Sequence, residues 1–216
     1  MIGHGNNTVA GPWNFSVSAG GLNVMRGPNG CGKSTFARTL LNLIPAISGK
    51  VRWNIQPHCR WVPQQLPLTE DYPVSVFDIV ELGMWDTPDS GSPLWGLRPG
   101  KSQDKPAKQV VLEMLSRVGL EGMENRRFAR LSGGEQRRAL IARALVADAN
   151  CIVLDEPMNG VDQEGRESLG KLVTDLAENS EILFLVITHD SSWIPVQPRC
   201  YLDLSATGEI SLEPSS

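Results

Sequence analysis

The chain has 216 residues, 41% hydrophobic and 20% charged, with a net charge of -4 at pH 7. Those proportions suit an ordinary globular chain able to bury a core, and the acidic balance argues against a general nucleic-acid binder, which needs a basic surface. No apolar run approaches the ~20 residues that cross a bilayer, and "MIGHGNNTVAGPW" lacks the basic start and apolar run of a signal peptide, so a cytosolic chain is expected, with any membrane role coming through a partner.

In chain order, "NFSVS" (Asn14 to Ser18) alternates apolar and polar residues as a half-buried strand does. Ala19-Gly20-Gly21 reads as a turn and Leu22 to Met25 as a second strand. Residues 27 to 35 then read "GPNGCGKST", matching G-x-x-x-x-G-K-[ST] between a strand and a helix. The spacing follows from the chemistry of a triphosphate. Gly27, Gly30 and Gly32, with Pro28, Asn29 and Cys31 between them, let backbone N–H groups curl around phosphate oxygens where a Cβ would collide. Lys33 supplies a point charge to the outer phosphates, and the Ser34 hydroxyl, followed by Thr35, stands where it can ligate Mg²⁺. The helix start adds about half a positive charge. A nucleoside-triphosphate site is expected here.

"KSTFARTLLNLI" has helical spacing at Phe36, Leu40, Leu41 and Ile44, and Pro45 comes as it runs out. "GKVRW" and "CRWVPQ" read as short strands. His58 and Cys59 are read as belonging to an edge strand rather than as metal ligands, because no third or fourth ligand lies at a useful spacing. The other cysteines, Cys31, Cys151 and Cys200, form no CxxC pair; three of the four read as small fillers, and Cys31 lies in the phosphate loop where it is oxidisable. From Leu66 to about Lys108 the chain is rich in Pro, Gly, Asp and Ser around one apolar piece, "VSVFDIVELGMW", and "DTPDSGSPLWGLRPGKSQDKP" reads as an exposed excursion.

Helical spacing returns at "AKQVVLEMLSRVGL" and again after Ser132. "CIVLDEP" and "EILFLVITHD" are unbroken apolar runs, which suit strands covered on both faces of a parallel sheet; helical stretches between them make the core α/β. Asp155, at the end of the first run, has the form of a strand-end acid holding Mg²⁺ beside a phosphate loop. Glu156 follows, placed to act as general base on an attacking water.

The stretch "LSGGE" opens the helix whose apolar face carries Leu140, Ile141, Ala144 and Leu145. Ser132 is a good N-cap and Gly133 and Gly134 allow close backbone approach, so this is a second phosphate-gripping helix start. One triphosphate can occupy only one such loop. Two chains packed head to tail would give each nucleotide one grip from each subunit, which makes ATP the glue of a dimer.

These motifs together resemble the ATP-binding subunit of an ATP-binding-cassette (ABC) transporter, over nearly the whole chain. The resemblance implies a P-loop NTPase fold in a single domain over 1–216: a core at about 1–65 and 146–216 with a parallel sheet and a small antiparallel part, and a helical lobe at about 66–145. It further implies ATP and Mg²⁺ as ligands, and a homodimer of ATPase subunits. That pair is expected to dock on integral membrane permease subunits at the cytoplasmic face of the membrane, with a substrate-binding protein as a possible further partner and no nucleic acid. "GPNGCGKST" stands for the Walker A motif, and "VPQ" places Gln64 as the Q-loop glutamine that touches Mg²⁺ and senses the membrane subunit. "LSGGE" is the signature, with Glu135 where Gln is commoner, and Ser132 to Glu135 reaching the partner's nucleotide. "CIVLDE" is the Walker B strand, with Asp155 on Mg²⁺ and Glu156 as base. "NGVD" puts Asp162 at the dimer interface, and "ITHD" supplies His189, the switch histidine expected near the γ-phosphate.

Two features depart from that pattern. Counting back from "NFSVS" to the aromatic that usually stacks on adenine reaches only Ile2 to His4, and Trp13 lies close to the phosphate loop, so weak adenine binding or relaxed base selectivity is expected. Arg26 stands where an apolar residue is usual; a solvated and a phosphate-facing side chain are both open. For cargo, "VPQQ", "DYPVSVFDIVELGMW" and "LDEPMNGVD" are similar to the zinc/manganese-type uptake subfamily, where a phenylalanine often stands at the Met158 position. Siderophore importers share the first pattern, and haem exporters share "RGPNG". The rival class is an ABC-type ATPase without a membrane partner, but neither the long coiled-coil insertion of DNA-repair members nor the second cassette of translation factors is visible. The intact Lys33, Asp155, Glu156 and His189 argue against a binding module with degenerate catalysis.

Overall fold

The computed structural model describes the chain apart from residues 5–6, 12, 14–19, 42, 54–57, 65–72, 87–97, 100–105, 208 and 215–216. It opens with a hairpin, β1 (Ile2–His4) and β2 (Asn7–Ala10), paired antiparallel. Next come β3 (Gly21–Arg26), α1 (Lys33–Leu40) and β4 (Cys59–Val62). A mainly helical stretch follows: α2 (Val76–Glu81), a 3-10 turn at Leu82–Met84, the two-residue strands β5 (Trp85–Asp86) and β6 (Arg98–Pro99), and α3 (Ala107–Arg117). After a second 3-10 turn at Phe128–Arg130, the chain forms α4 (Gly133–Val146), β7 (Cys151–Asp155), α5 (Gln163–Glu178), β8 (Leu183–Thr188), β9 (Cys200–Leu204) and β10 (Ile210–Pro214).

The central sheet has the order β10-β9-β3-β8-β7-β4, parallel throughout except for β10, which pairs antiparallel with β9. The apolar runs are buried as their composition requires: every residue of β7 is buried, as is every residue of β8 after Leu183. Alternation splits each strand between two cores. Leu22, Val24, Ile152, Leu154, Phe184 and Val186 face the layer holding α2 to α5. Met25, Val153, Leu185 and Ile187 face Phe36 and Ala37 of α1. The helix α4 is buried at Ala139, Leu140, Ile141, Ala142, Ala144, Leu145 and Val146, because it packs on α2, α3, α5 and β4 at once. No helix among the described residues is long and apolar enough to cross a membrane.

Several sequence expectations change in detail. The helix after the phosphate loop stops at Leu40, so Ile44 lies beyond it; Ile44 precedes Pro45, and a residue before proline is driven out of the α region. "GKVRW" is not a strand over 49–53: Val51 is exposed, and a strand needs a neighbour to take its backbone groups. The predicted strand at 14–18 lies outside the described residues, as does most of the excursion between 86 and 106. "VSVFDIVELGMW" is α2 with its following turn, started by a reciprocal cap in which the Asp78 N–H donates to Ser75 Oγ and the Ser75 N–H to the Asp78 carboxylate.

Candidate nucleotide site

Three neighbouring parallel strands, β3, β8 and β7, end level with one another: Arg26 pairs with Thr188, and Asp155 with Ile187. The residues that follow, the phosphate loop from Gly27, His189, and Glu156, therefore emerge together at the C-terminal ends of the strands. That is where parallel α/β sheets bind ligands.

In the loop, Gly32 caps α1 with φ at 106°, a left-handed conformation that a Cβ would strain. Lys33 is buried, and its ammonium donates to the carbonyls of Gly27 at 2.8 Å and Pro28 at 3.0 Å, so the loop closes around a positive charge. Its Nζ also lies 3.9 Å from Glu156 Oε1. Ser34 Oγ donates to Asp155 Oδ1 at 3.4 Å. Thr35 is buried behind the loop, its carbonyl accepting from Thr39. Glu156 holds a left-handed backbone, φ 46°, with its N–H on the Ile187 carbonyl at 2.8 Å. The other carboxylate oxygen, Oε2, lies 2.8 Å from His189 Nδ1. A non-glycine residue with positive φ is strained, and such strain gathers where a side chain must be aimed.

Burial holds the Asp155 carboxyl above the ordinary carboxylate range; the Ser34 hydroxyl opposes this shift and the neighbouring Glu156 adds to it. A buried, poorly compensated carboxylate beside a hydroxyl is an all-oxygen donor pair, the kind a hard divalent cation selects, so these residues fit Mg²⁺. The sign of the shift gives a prediction. A raised folded-state value means that the folded chain holds the Asp155 proton more tightly than the unfolded one, so its stabilising contribution is present at low pH and lost as pH rises through the folded value. Asp155→Asn, measured without nucleotide, should melt higher than the native chain at neutral pH, each kcal/mol being worth about 2–4 °C at this length. The gap should close as pH falls toward about 4, where an ordinary aspartate takes up its proton. A native chain melting at or above the variant at pH 7 would remove the desolvation argument.

At the signature helix start the contacts within the chain are a cap and a glycine packing. Ser132 is exposed, its N–H donating to the Glu135 carboxylate at 2.7 Å while the Glu135 N–H donates back to Ser132 Oγ at 3.3 Å. Gly133 makes its close approach within the chain: a Cβ there would sit 2.3 Å from the Gly160 carbonyl oxygen. At Gly134 a methyl group would meet only ordinary contacts, at 3.6 Å from Val161. Gly133→Ala should therefore destabilise the chain by about 1–3 kcal/mol, the cost of overpacking, more than alanine's helix preference of roughly 1 kcal/mol recovers. Urea unfolding checks this; unchanged stability would mean that the loop at Gly160 yields freely.

Asp162, exposed, caps α5 by accepting from the Gly165 N–H at 2.9 Å. Gln64 is an exposed residue two positions beyond β4, its carbonyl taken by Arg137. Lys33, Ser34, Asp155, Glu156 and His189 thus form one cluster, and among the described residues no hydrogen bond or ion pair ties Ser132, Asp162 or the Gln64 side chain to it. Arg26 is neither free in solvent nor turned to the loop: it forms a two-pronged pair with Asp203 of β9, at 2.7 and 2.6 Å, and lies 3.8 Å over the Tyr201 ring. Trp13 packs edge-on against Phe36, centroids 5.6 Å apart. Cys59 and Cys151 meet across β4 and β7, and their mutual thiol contact pushes Cys59 down and Cys151 up. Two features escaped the sequence reading: Arg137, which carries no spacing signal on a helix read for its apolar face, and the backbone approach at Gly160.

A family model described as ABC transporter matches residues 11–159, more than half of the chain. This chain belongs to the ABC transporter family. It has the fold of an ABC transporter cassette. Among curated relatives, the cassette is 36% identical to the zinc transport system ATP-binding protein TroB of Treponema pallidum, over 81% of this chain and 64% of TroB. It is 35% identical to the manganese transport system ATP-binding protein MntB of Listeria monocytogenes, over 82% of this chain and 72% of MntB. The chain thus spans just under two thirds of TroB's length. Among solved structures, a metal-chelate type ABC transporter in an inward-facing conformation superposes with a TM-score of 0.77 at 27% identity, over 94% of this cassette and 75% of that chain. The dimeric cassette MJ0796 superposes at 0.75 with 24% identity, over 95% and 90%, which speaks to the fold alone.

Proposed function

We propose that this cassette hydrolyses ATP to drive import of zinc- or manganese-type divalent cations, as a head-to-tail homodimer docked on permease subunits at the cytoplasmic face of a membrane. The observation that carries the catalytic reading is the cluster at the C-terminal ends of β3, β8 and β7, in which Glu156 is held between the Lys33 ammonium and the His189 ring. The cargo rests on the names of the relatives, TroB and MntB. The packing of α2, α3 and α4 on one another supports a helical lobe over about 66–145.

The mechanism follows from the chain's own groups. Lys33 exchanges the Gly27 and Pro28 carbonyls for the outer phosphate oxygens, and the N–H groups of residues 30 to 35 follow it. Ser34 and Asp155 would hold Mg²⁺, with Gln64 as a further ligand; when bound, the cation neutralises charge on the phosphates. Glu156 takes a proton from the attacking water onto its carboxylate. His189, whose Nδ1 lies 2.8 Å from Glu156 Oε2, keeps that carboxylate aimed. Ser132 to Glu135 of one copy close on the nucleotide of the other across an interface that includes Asp162, and closure pulls on the permease near Gln64. Two measurements test this reading. The purified chain should hydrolyse Mg·ATP, and cells lacking it should lose uptake of radioactive zinc or manganese. Unchanged metal uptake with loss of siderophore or haem transport would move the cargo, and a chain that captures no permease from solubilised membranes would favour an ATPase with no membrane partner.

A further inference from the structure

Arg137 is 7% exposed, and its guanidinium carries no salt bridge to a carboxylate among the described residues. Its three bonds all go to backbone carbonyls. Nη1 donates to Pro63 O at 2.9 Å, and Nη2 donates to Gln64 O and, at 3.4 Å, to Asn159 O. Pro63 and Gln64 follow β4; Asn159 lies between Glu156 and Asp162; Arg137 itself is five residues into the signature segment from Ser132. A buried cation is expensive to desolvate, and burial depresses this one's proton affinity while the Asp155 charge partly restores it. The flat fork of an arginine presents its five donors in fixed, diverging directions, which the rotating ammonium of a lysine does not. Beside it, the Gly133 backbone abuts the Gly160 carbonyl, so the start of α4 grips the 159–160 turn twice.

We propose that Arg137 is a positioning residue that locks the Pro63–Gln64 segment and the turn at Asn159 to the start of α4, so that the three move as one body. The inference rests on the reading of this chain as an ATPase whose Gln64 segment faces a membrane partner, and it names the link by which a push there reaches the Ser132 helix start and the segment carrying Glu156. Arg137 touches neither substrate nor metal in this scheme. Its loss should therefore leave nucleotide affinity alone and slow the step that needs all three segments in place.

The test compares native chain, Arg137→Met, Arg137→Lys and, as a control on the same helix, Arg138→Met. Arg138 donates to the Val118 carbonyl and to Ser168 and contacts no nucleotide motif. Arg137→Met should keep its melting temperature, since a buried charge is exchanged for an apolar chain of similar length. Its KM for ATP should stay within about twofold while kcat falls about tenfold or more, the scale on which misplaced reacting groups act. Lysine, a point charge without the fork, should not restore kcat. Amide exchange should rise together in peptides spanning 59–64 and 157–162. Arg138→Met should melt lower with kcat and KM unchanged. Native kcat and native exchange in Arg137→Met would overturn the proposal, and so would joint loss of melting temperature, kcat and KM with full rescue by lysine. Should the methionine variant not fold, Arg137→Lys reads the same kcat and exchange changes. If the native chain hydrolyses no ATP, the proposed function fails, and the exchange measurements alone still decide whether Arg137 locks the segments.

Discussion

Lys33→Ala is expected to abolish ATP binding. The Lys33 ammonium is the one cation seen inside the phosphate loop among the described residues, gripped by two loop carbonyls and lying 3.9 Å from Glu156. Without it, Asp155 and Glu156 face the incoming triphosphate with no opposing charge from the loop, and the carbonyls of Gly27 and Pro28 lose their donor. A hydrogen bond to a charged group contributes roughly 1.5–3 kcal/mol, and each 1.4 kcal/mol is about tenfold in affinity. Two such bonds to phosphate oxygens, lost with the ammonium, plus the added repulsion give a loss of at least about 10²-fold. Calorimetric titration with Mg·ATP reads it directly, and Lys33→Met, which keeps the buried stem, separates lost charge from lost packing. Binding within fivefold of native in a folded variant would show that the loop's N–H groups suffice.

The second large effect is kinetic. Glu156→Gln keeps the shape of the side chain and its contact with His189, but an amide cannot take a proton from water. Hydrolysis should fall about 10²–10⁴-fold, the usual contribution of a positioned base, while ATP affinity stays native. With hydrolysis blocked, the head-to-tail pair should persist in Mg·ATP and run at twice the monomer mass in light scattering. The two variants fail in opposite ways, one unable to bind and the other unable to let go. A glutamine variant with the native turnover would remove Glu156 as base, and one that stays monomeric in saturating Mg·ATP would remove the shared nucleotide pocket.

The sequence reading was most successful where chemistry demands local spacing. The phosphate loop, the strand-end position of the acids and the N-cap at Ser132 are each set within nine residues of chain, by backbone N–H direction, strand period and helix-end donors. It was weakest where an outcome depends on a neighbour. "GKVRW" has strand composition, yet 49–53 are not a strand and Val51 is exposed. Gly133 also lies against Gly160, a loop 27 positions on whose placement no local pattern announces.

By itself, the order of residues determined that this protein handles a nucleoside triphosphate on a parallel α/β sheet, because a loop that wraps phosphates, an apolar run covered on both faces and a capped helix start are short-range solutions. Tertiary structure alone decided what the unusual residues do. Arg26 finds Asp203 across 177 positions, Cys59 meets Cys151 through the β4–β7 register, and Arg137 reaches Pro63, Gln64 and Asn159 from a helix of its own. Each of these partnerships was chosen by strand order and helix docking, which arise from the whole core at once and leave no periodic trace along the chain.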